Sequence, residues 1–380
     1  MGHEVLLKGL PADNPLGFLA ALGTLVTVTR AWPRVDERNG VRLGWRPVMG
    51  GWRPLLQVPN PLCKEELVTL LHGSLSRTVD KAARAAAAAA YKVRFAKDTE
   101  LSTLIKQFKA LGRRAPPEDK REFLTAKVAP ARTALDKASS AYRTALARGG
   151  AADPILELGA HPKQVPGDVF AQAAATWREA ATPTDRRLVD LVAGLGCEAV
   201  LDKNDNIDPT QLSKANGSGN QFLLKDAGTL MTSLTEPRLA AALFAPWDYA
   251  DRKLALGWNP AEVRDRALLA TDPGKGGSRT IHGANRLAFE ALALFPAVPS
   301  GRGLATTGNG RIAGKRCFTW PIWQAPLSES AVRTVLGLEG LQDETPDRQH
   351  LGRLGIIEVF RAEHFTHLDS NPRFRQARSV

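Results

Sequence analysis

A thirteen-residue stretch without a charge, Leu16 to Val28, constrains this chain more than any other feature. Asn14 stands before it as a helix cap, and Pro15 takes the first helical position, where a missing N–H costs nothing. Apolar residues occupy nearly the whole circumference, so the helix must be covered on most sides. At this length it falls well short of the roughly 20 residues needed to span a bilayer. Glu4 and Asp13 precede it, and no small-x-small cleavage site follows before Arg30 and Trp32, so it does not read as an export signal. The expectation is a buried helix in a soluble, cytoplasmic protein. A chain of 380 residues with 43% hydrophobic residues can supply the cover, in two or three compact units, and is not disordered.

Cys63, Cys197 and Cys317 stand far apart with no Cys-x-x-Cys pair. That argues against a thiolate zinc site and fits a reducing compartment. The net charge of +12 is concentrated: residues 64–150 hold eighteen Lys/Arg against nine Asp/Glu. This block is also rich in strong helix formers, including the run Ala85 to Ala90. Leu101, Leu104, Ile105, Phe108 and Leu111 recur at helical spacing. After a break at Gly112 to Pro117, a heptad-like seam runs through Leu124, Val128, Ala131, Leu135, Ala138, Tyr142 and Ala145. Pro130 should kink or divide that second helix. The pattern predicts a long antiparallel helical hairpin with Arg113 and Arg114 exposed at its tip.

The rest reads as mixed. Val5 to Leu7, Val41 to Trp45 and Ile356 to Arg361 are strand-like, and Gly50 to Pro61 reads as turns. Helices are expected over 167–181, 184–195, 221–234, 236–245, 260–269 and 283–294, and a hairpin around Gly308-Asn309-Gly310. The fold class is therefore α+β, predominantly helical. The expected domains are an N-terminal α/β segment at 1–63, the basic helical hairpin insertion at 64–150, and a mixed α+β region at 151–380.

Catalytic patterns fail one by one. Gly308-x-Gly310-x-x-Ala313 lacks the strand–turn–helix setting of a dinucleotide site. Asp272 to Ser278 is Gly-rich but lacks the Gly-Lys-Ser/Thr ending of a P-loop. Asp202, Asn204, Asn206 and Asp208 alternate like a calcium loop, yet Ile207 and Ser213 replace the required Gly and Glu. Glu363-His364-x-x-His367-x-Asp369 is the densest group of metal-ligand types, and its default reading is a partly exposed His pair. No metal, cofactor or enzymatic activity is expected.

The polar clusters that remain suit a polyanion. Asn216, Ser218, Asn220 and Gln221 lie in a Gly-rich turn before an apolar helix, where free N–H groups bind phosphate and amide side chains reach base edges. Lys275, Arg279, His282, Asn285 and Arg286 form a second cluster, and Arg302, Arg311, Lys315 and Arg316 a third on the expected hairpin. Residues 265–316 hold eight Lys/Arg against three Asp/Glu. Two basic regions separated by acidic sequence fit an extended nucleic acid better than a small ligand.

Four stretches carry a resemblance: Gly9-Leu10 with Asn14 to Gly23, Asp251-Arg252 with Leu256 to Pro260, Gly283 to Ala288, and Phe318 to Trp323. Together they resemble large-subunit-type proteins of type I CRISPR surveillance (Cascade) complexes, near the I-U/I-G branch. The resemblance implies a subunit without nuclease activity that joins a crRNA-bearing backbone. It would examine duplex DNA for a protospacer-adjacent motif, hold the displaced strand and support a separate helicase–nuclease. Three alternatives remain open: a crRNA- or RNA-binding assembly subunit, a metal-dependent nuclease using His364 and His367, and a structural or recruiting subunit whose basic hairpin touches only protein.

Overall fold

The computed structural model describes residues 2–32, 40–78, 81–112, 115–149, 153–214, 222–262, 279–301, 303–365 and 373–380. Among them the fold is mixed α/β with helices predominating. The chain divides into two compact units, Met1–Ser76 with His161–Val380, and Arg77–Ala160.

The first unit opens with strand β1 (His3–Leu6), helix α1 (Pro15–Ala31), strands β2 (Arg42–Val48) and β3 (Gly51–Val58), and helix α2 (Lys64–Leu75). Asn14 caps α1 as expected, its Oδ1 accepting from the Leu16 N–H at 2.9 Å, and every residue from Pro15 to Val28 is buried. The three strands form an antiparallel sheet in the order β1-β3-β2. Two thirds of the stretch read as turns is thus strand. Its glycines sit at the end of the β2–β3 hairpin, and Pro54 forfeits only a donor, since its carbonyl still accepts from the Leu7 N–H at 2.9 Å. Leu67, Leu71 and Leu75 of α2 are buried in this unit. The boundary expected at residue 64 therefore lies at 77, and residues 1–63 and 161–380 share one unit.

In the second unit, α3 (Lys81–Ala110) packs against α5 (Ala129–Gly149), which is preceded by α4 (Pro117–Phe123) and a π-helical turn at Leu124–Val128. Tyr91 meets Tyr142 at 5.5 Å between ring centroids and Phe108 meets Phe123 at 6.1 Å. The π turn lies directly before Pro130, where the ring would clash with the carbonyl four residues back in a regular helix. Its wider loop adds one residue to the helical repeat. The expected seam keeps Ala131, Ala138 and Tyr142 buried. Beyond the π turn it slips by one position, so Phe123 makes the ring contact and Leu124 is 41% exposed.

The first unit resumes with α6 (Gly167–Ala180), α7 (Arg187–Leu195), α8 (Gln211–Lys214), α9 (Leu223–Ser233) and α10 (Glu236–Phe244). The short pair β4 (Asp251–Arg252) and β5 (Arg279–Thr280) precedes α11 (His282–Ala291). Strands β6 (Ala297–Ser300), β7 (Gly303–Thr306), β8 (Asn309–Ile312) and β9 (Lys315–Trp323) then form an antiparallel meander. After α12 (Glu329–Leu336) and α13 (Arg348–Arg353), β10 (Ile356–Phe365), β11 (Arg373–Phe374) and β12 (Arg378–Ser379) complete a seven-stranded sheet. No helix among the described residues is long and apolar enough to cross a membrane.

The core is the crossing of α1 with α11. A Cβ on Gly23 would lie 1.8 Å from the Leu287 carbonyl oxygen, so only glycine permits this approach. Phe18 stacks on Trp45 at 5.8 Å and on Trp320 at 5.6 Å, with Trp323 edge-on. The indole N–H groups of Trp320 and Trp323 donate to the carbonyls of Ala12 and Leu43. Asn14 donates to Asn259 at 3.0 Å, and Leu256 N–H donates to Asn285 at 3.0 Å. Residues from Asn14 to Gly23, Leu256 to Pro260, Gly283 to Ala288 and Phe318 to Trp323 thus meet in this core.

Candidate nucleic-acid interface

The sequence assigns nucleic-acid contacts to residues whose fates in the structure differ. Arg113, Arg114, Asn216, Ser218, Asn220, Gln221, Lys275 and Arg302 lie outside the described residues, as do His367 and Asp369. Asn285 and Arg286 are buried and committed, which corrects their expected role. All ten residues of α11 are buried because α1 closes over it. The Asn285 amide donates to Thr280 Oγ1 at 2.8 Å and to the Ile281 carbonyl at 3.0 Å. Arg286 donates to Glu290 Oε1 through both terminal nitrogens at 2.9 Å and to the Leu75 carbonyl at 3.2 Å. Arg30 and Arg187 share the same carboxylate, each at 2.8–2.9 Å. Burial opposes ionisation of Glu290, but Arg187, Arg286 and Arg30 outweigh it and hold the carboxyl well below the usual range.

Arg279, Arg311, Lys315 and Arg316 are exposed. Arg311 and Arg316 face each other directly across β8 and β9. The strands are joined by Ala313 and Gly314 at φ 48° and 78°, the two positive values that a tight right-twisted hairpin requires. Arg311 donates to the Gly314 carbonyl at 3.2 Å and Arg316 to Gln211 Oε1 at 3.5 Å. Neither meets a carboxylate among the described residues, whereas Lys315 pairs with Glu363 at 3.1 Å. The same arrangement recurs on β4–β5, where Arg252 lies opposite Arg279, both exposed and both without a carboxylate partner among the described residues. Arg252 has no part in the sequence-level assignment. Strand pairing across a 27-residue gap leaves no local signal in the sequence. Lys253 and Leu254 follow it in the left-handed region at φ 63° and 55°, a strained pair for residues with side chains.

Beside Arg311 and Arg316 opens a cavity of about 330 Å³, walled by residues 208–211 on one side and by β7, β8 and the start of β9 on the other. His364 of β10 also lines it. The expected partly exposed His pair is corrected here: His364 is 8% exposed, on a strand, with its ring 4.3 Å from that of Phe374. Its Nε2 is 3.1 Å from Asn309 Oδ1, whose own NH₂ donates to the Thr307 carbonyl, so Nε2 carries the proton and Nδ1 is a bare acceptor without a partner. Burial, with help from Arg316, pushes the imidazole pKa down to about 3, so it is neutral at physiological pH. Burial likewise raises the Cys317 thiol.

The look-alike motifs resolve as turns where they are described. Gly308 to Ala313 spans β-hairpin turns with no following helix. Asp202 Oδ1 accepts from the backbone of Asn204 and Asn206, an ordinary polar turn. Among the described residues no three His, Cys, Asp or Glu side chains gather as a metal site. No known protein family, curated protein or solved structure matches the chain.

Proposed function

We propose that this chain is a non-catalytic, cytoplasmic nucleic-acid-binding subunit of a type I CRISPR surveillance complex, as its four family-like stretches imply. In that reading the second unit is an antiparallel helical hairpin inserted into the main fold. The observation that supports strand binding best is the pair of exposed cross-strand arginine couples, Arg252 with Arg279 and Arg311 with Arg316. Like charges directly opposite on neighbouring strands destabilise a sheet, and no carboxylate among the described residues offsets them. A phosphate backbone does, because each guanidinium retains forked N–H donors and its full charge. The second unit adds exposed Lys92, Lys106, Lys109, Arg121, Lys127, Arg132 and Lys137. Protospacer-adjacent-motif reading, strand holding and helicase–nuclease recruitment are the roles this reading assigns.

The test is equilibrium binding of the purified chain, and of the complex co-purified with it, to duplex DNA, single-stranded DNA and RNA at several salt concentrations. The expected result is affinity that falls steeply with salt and drops when Arg311 and Arg316, or Arg252 and Arg279, become Ala. Unchanged binding in both double variants would overturn the assignment. Preference for RNA over duplex DNA would favour the crRNA-assembly reading.

A further inference from the structure

The cavity under the Arg311–Arg316 couple combines two kinds of chemistry in a definite order. Charge is at its mouth, where both guanidiniums are exposed and without carboxylates among the described residues. The other lining side chains are uncharged apart from Asp208 on the opposite wall. His364 is uncharged, with Nε2 held by Asn309 and Nδ1 left as an unpartnered acceptor on a ring that is more than nine-tenths buried. Thr306 lines the same wall and is 7% exposed. Gln211, on the opposite wall, uses its carbonyl oxygen on Arg316, which leaves its NH₂ as a donor facing neither backbone nor side chain among the described residues.

Each alternative occupant fits less well. A free inorganic anion would want several cations converging on it from all sides, and among the described residues Arg311 and Arg316 are the only cations in the lining. A metal ion would want several carboxylates, and Asp208 is the single one in the lining. A volume of about 330 Å³ stands at the lower end of the range for small-ligand sites, which suits one nucleotide and not two. A nucleotide has the matching polarity: an anionic phosphate at one end and a neutral hydrogen-bonding base at the other.

We propose that this cavity receives a single unstacked nucleotide of the bound strand, its base against the His364–Asn309 floor and its phosphate on Arg311 and Arg316. The assignment rests on the strand-binding reading above and names the unit that the hairpin holds. Single-stranded segments are commonly read this way, with individual bases splayed out of the stack into pockets.

The test uses the full chain with nucleoside 5′-monophosphates, ribose 5-phosphate and inorganic phosphate as probes, read by calorimetry and by the imidazole ¹⁵N resonances of His364. At least one monophosphate should bind ten times tighter than ribose 5-phosphate or phosphate, and should shift the His364 nitrogens. Ala305→Phe, at an exposed position in the cavity wall, should remove the base-dependent part and leave the phosphate-dependent part. Arg311→Ala with Arg316→Ala should weaken every probe. Equal binding of phosphate and monophosphates, or no shift at His364, would overturn the pocket. Strand binding measured in parallel separates the two readings: a strand bound normally with no mononucleotide preference refutes the pocket alone, whereas no strand binding at any salt concentration refutes the reading on which it rests.

Discussion

Arg286 on α11 and the Arg311–Arg316 couple on the β8–β9 hairpin come from the same basic tract, yet their charges do opposite things. Arg286 is fully buried and shares Glu290 with Arg30 and Arg187. Its charge is used to satisfy a buried carboxylate and a helix-end carbonyl, and it is closed to any ligand. The hairpin arginines face each other across two strands in solvent, with only neutral acceptors. A basic tract therefore says nothing of binding until each cation's carboxylate is located.

The strongest way to break this contrast is Glu290→Gln, which leaves three guanidiniums clustered without their anion. The expected loss is about 3–5 kcal/mol of unfolding free energy, measured by urea denaturation. Gly23→Ala comes next. The new methyl group meets the Leu287 carbonyl and forces the α1–α11 crossing apart, at a cost of about 3 kcal/mol by the same measurement.

The pH dependence divides in the same manner between buried groups of opposite sign. Burial lowers His161 to about 4 and His364 to about 3, so the unfolded chain takes up two protons below pH 6.5 that the native state refuses. Their contribution is complete above pH 6.5 and is lost as pH falls through the folded values. Asp226 runs the other way: burial raises it to about 6, so the native state holds a proton between about 6 and 3.8 that the unfolded chain does not, and stability from this group is lost as pH rises through 6. Between pH 6 and 4 the three leave a net uptake of about one proton on unfolding, a decline of roughly 1 kcal/mol per pH unit on acidification. Asp226→Asn should steepen that decline and raise stability at pH 7 by about 3 kcal/mol. An unchanged slope would show that Asp226 is solvated.

The smallest expected effect sharpens the comparison most. Arg311→Ala or Arg316→Ala should alter unfolding free energy by no more than about 0.5 kcal/mol, since each relieves a like-charge contact and breaks only exposed bonds. Each should nonetheless reduce the salt slope of strand binding by about 1. Large destabilisation by either would place these arginines with Arg286, as structural residues.

Much of the frame was legible in order along the chain. The Asn14-Pro15 cap, the buried α1, and α9 and α10 follow from spacing, capping chemistry and apolar period, all of which act within a few residues. The errors arise where distant segments decide. Gly50 to Pro61 reads as turns because the partner of the Pro54 carbonyl is supplied by Leu7, just beyond β1 and far off in sequence. Leu124 looked like a seam residue because a π turn before Pro130 leaves no mark in a heptad count. Asn285 and Arg286 looked like a binding cluster because Glu290, Arg30 and Arg187 stand in one place only after α1 and α7 pack on α11. His364 reads as half of an exposed pair because what buries it lies outside any local period: Phe374, ten residues on, returns beside it on β11, and Asn309 reaches it from β8, 55 residues back.

What the sequence by itself determined was therefore local: a central helix with no polar face, a helical block carrying most of the charge, and a turn-rich strand region near residues 304–320. Only the tertiary structure decided which cations are matched by carboxylates and which are left facing solvent. Helix and turn signals depend on neighbours a few residues apart. Charge compensation depends on groups up to 260 residues apart, as in the Arg30–Glu290 pair, brought within hydrogen-bonding distance by the burial of α1.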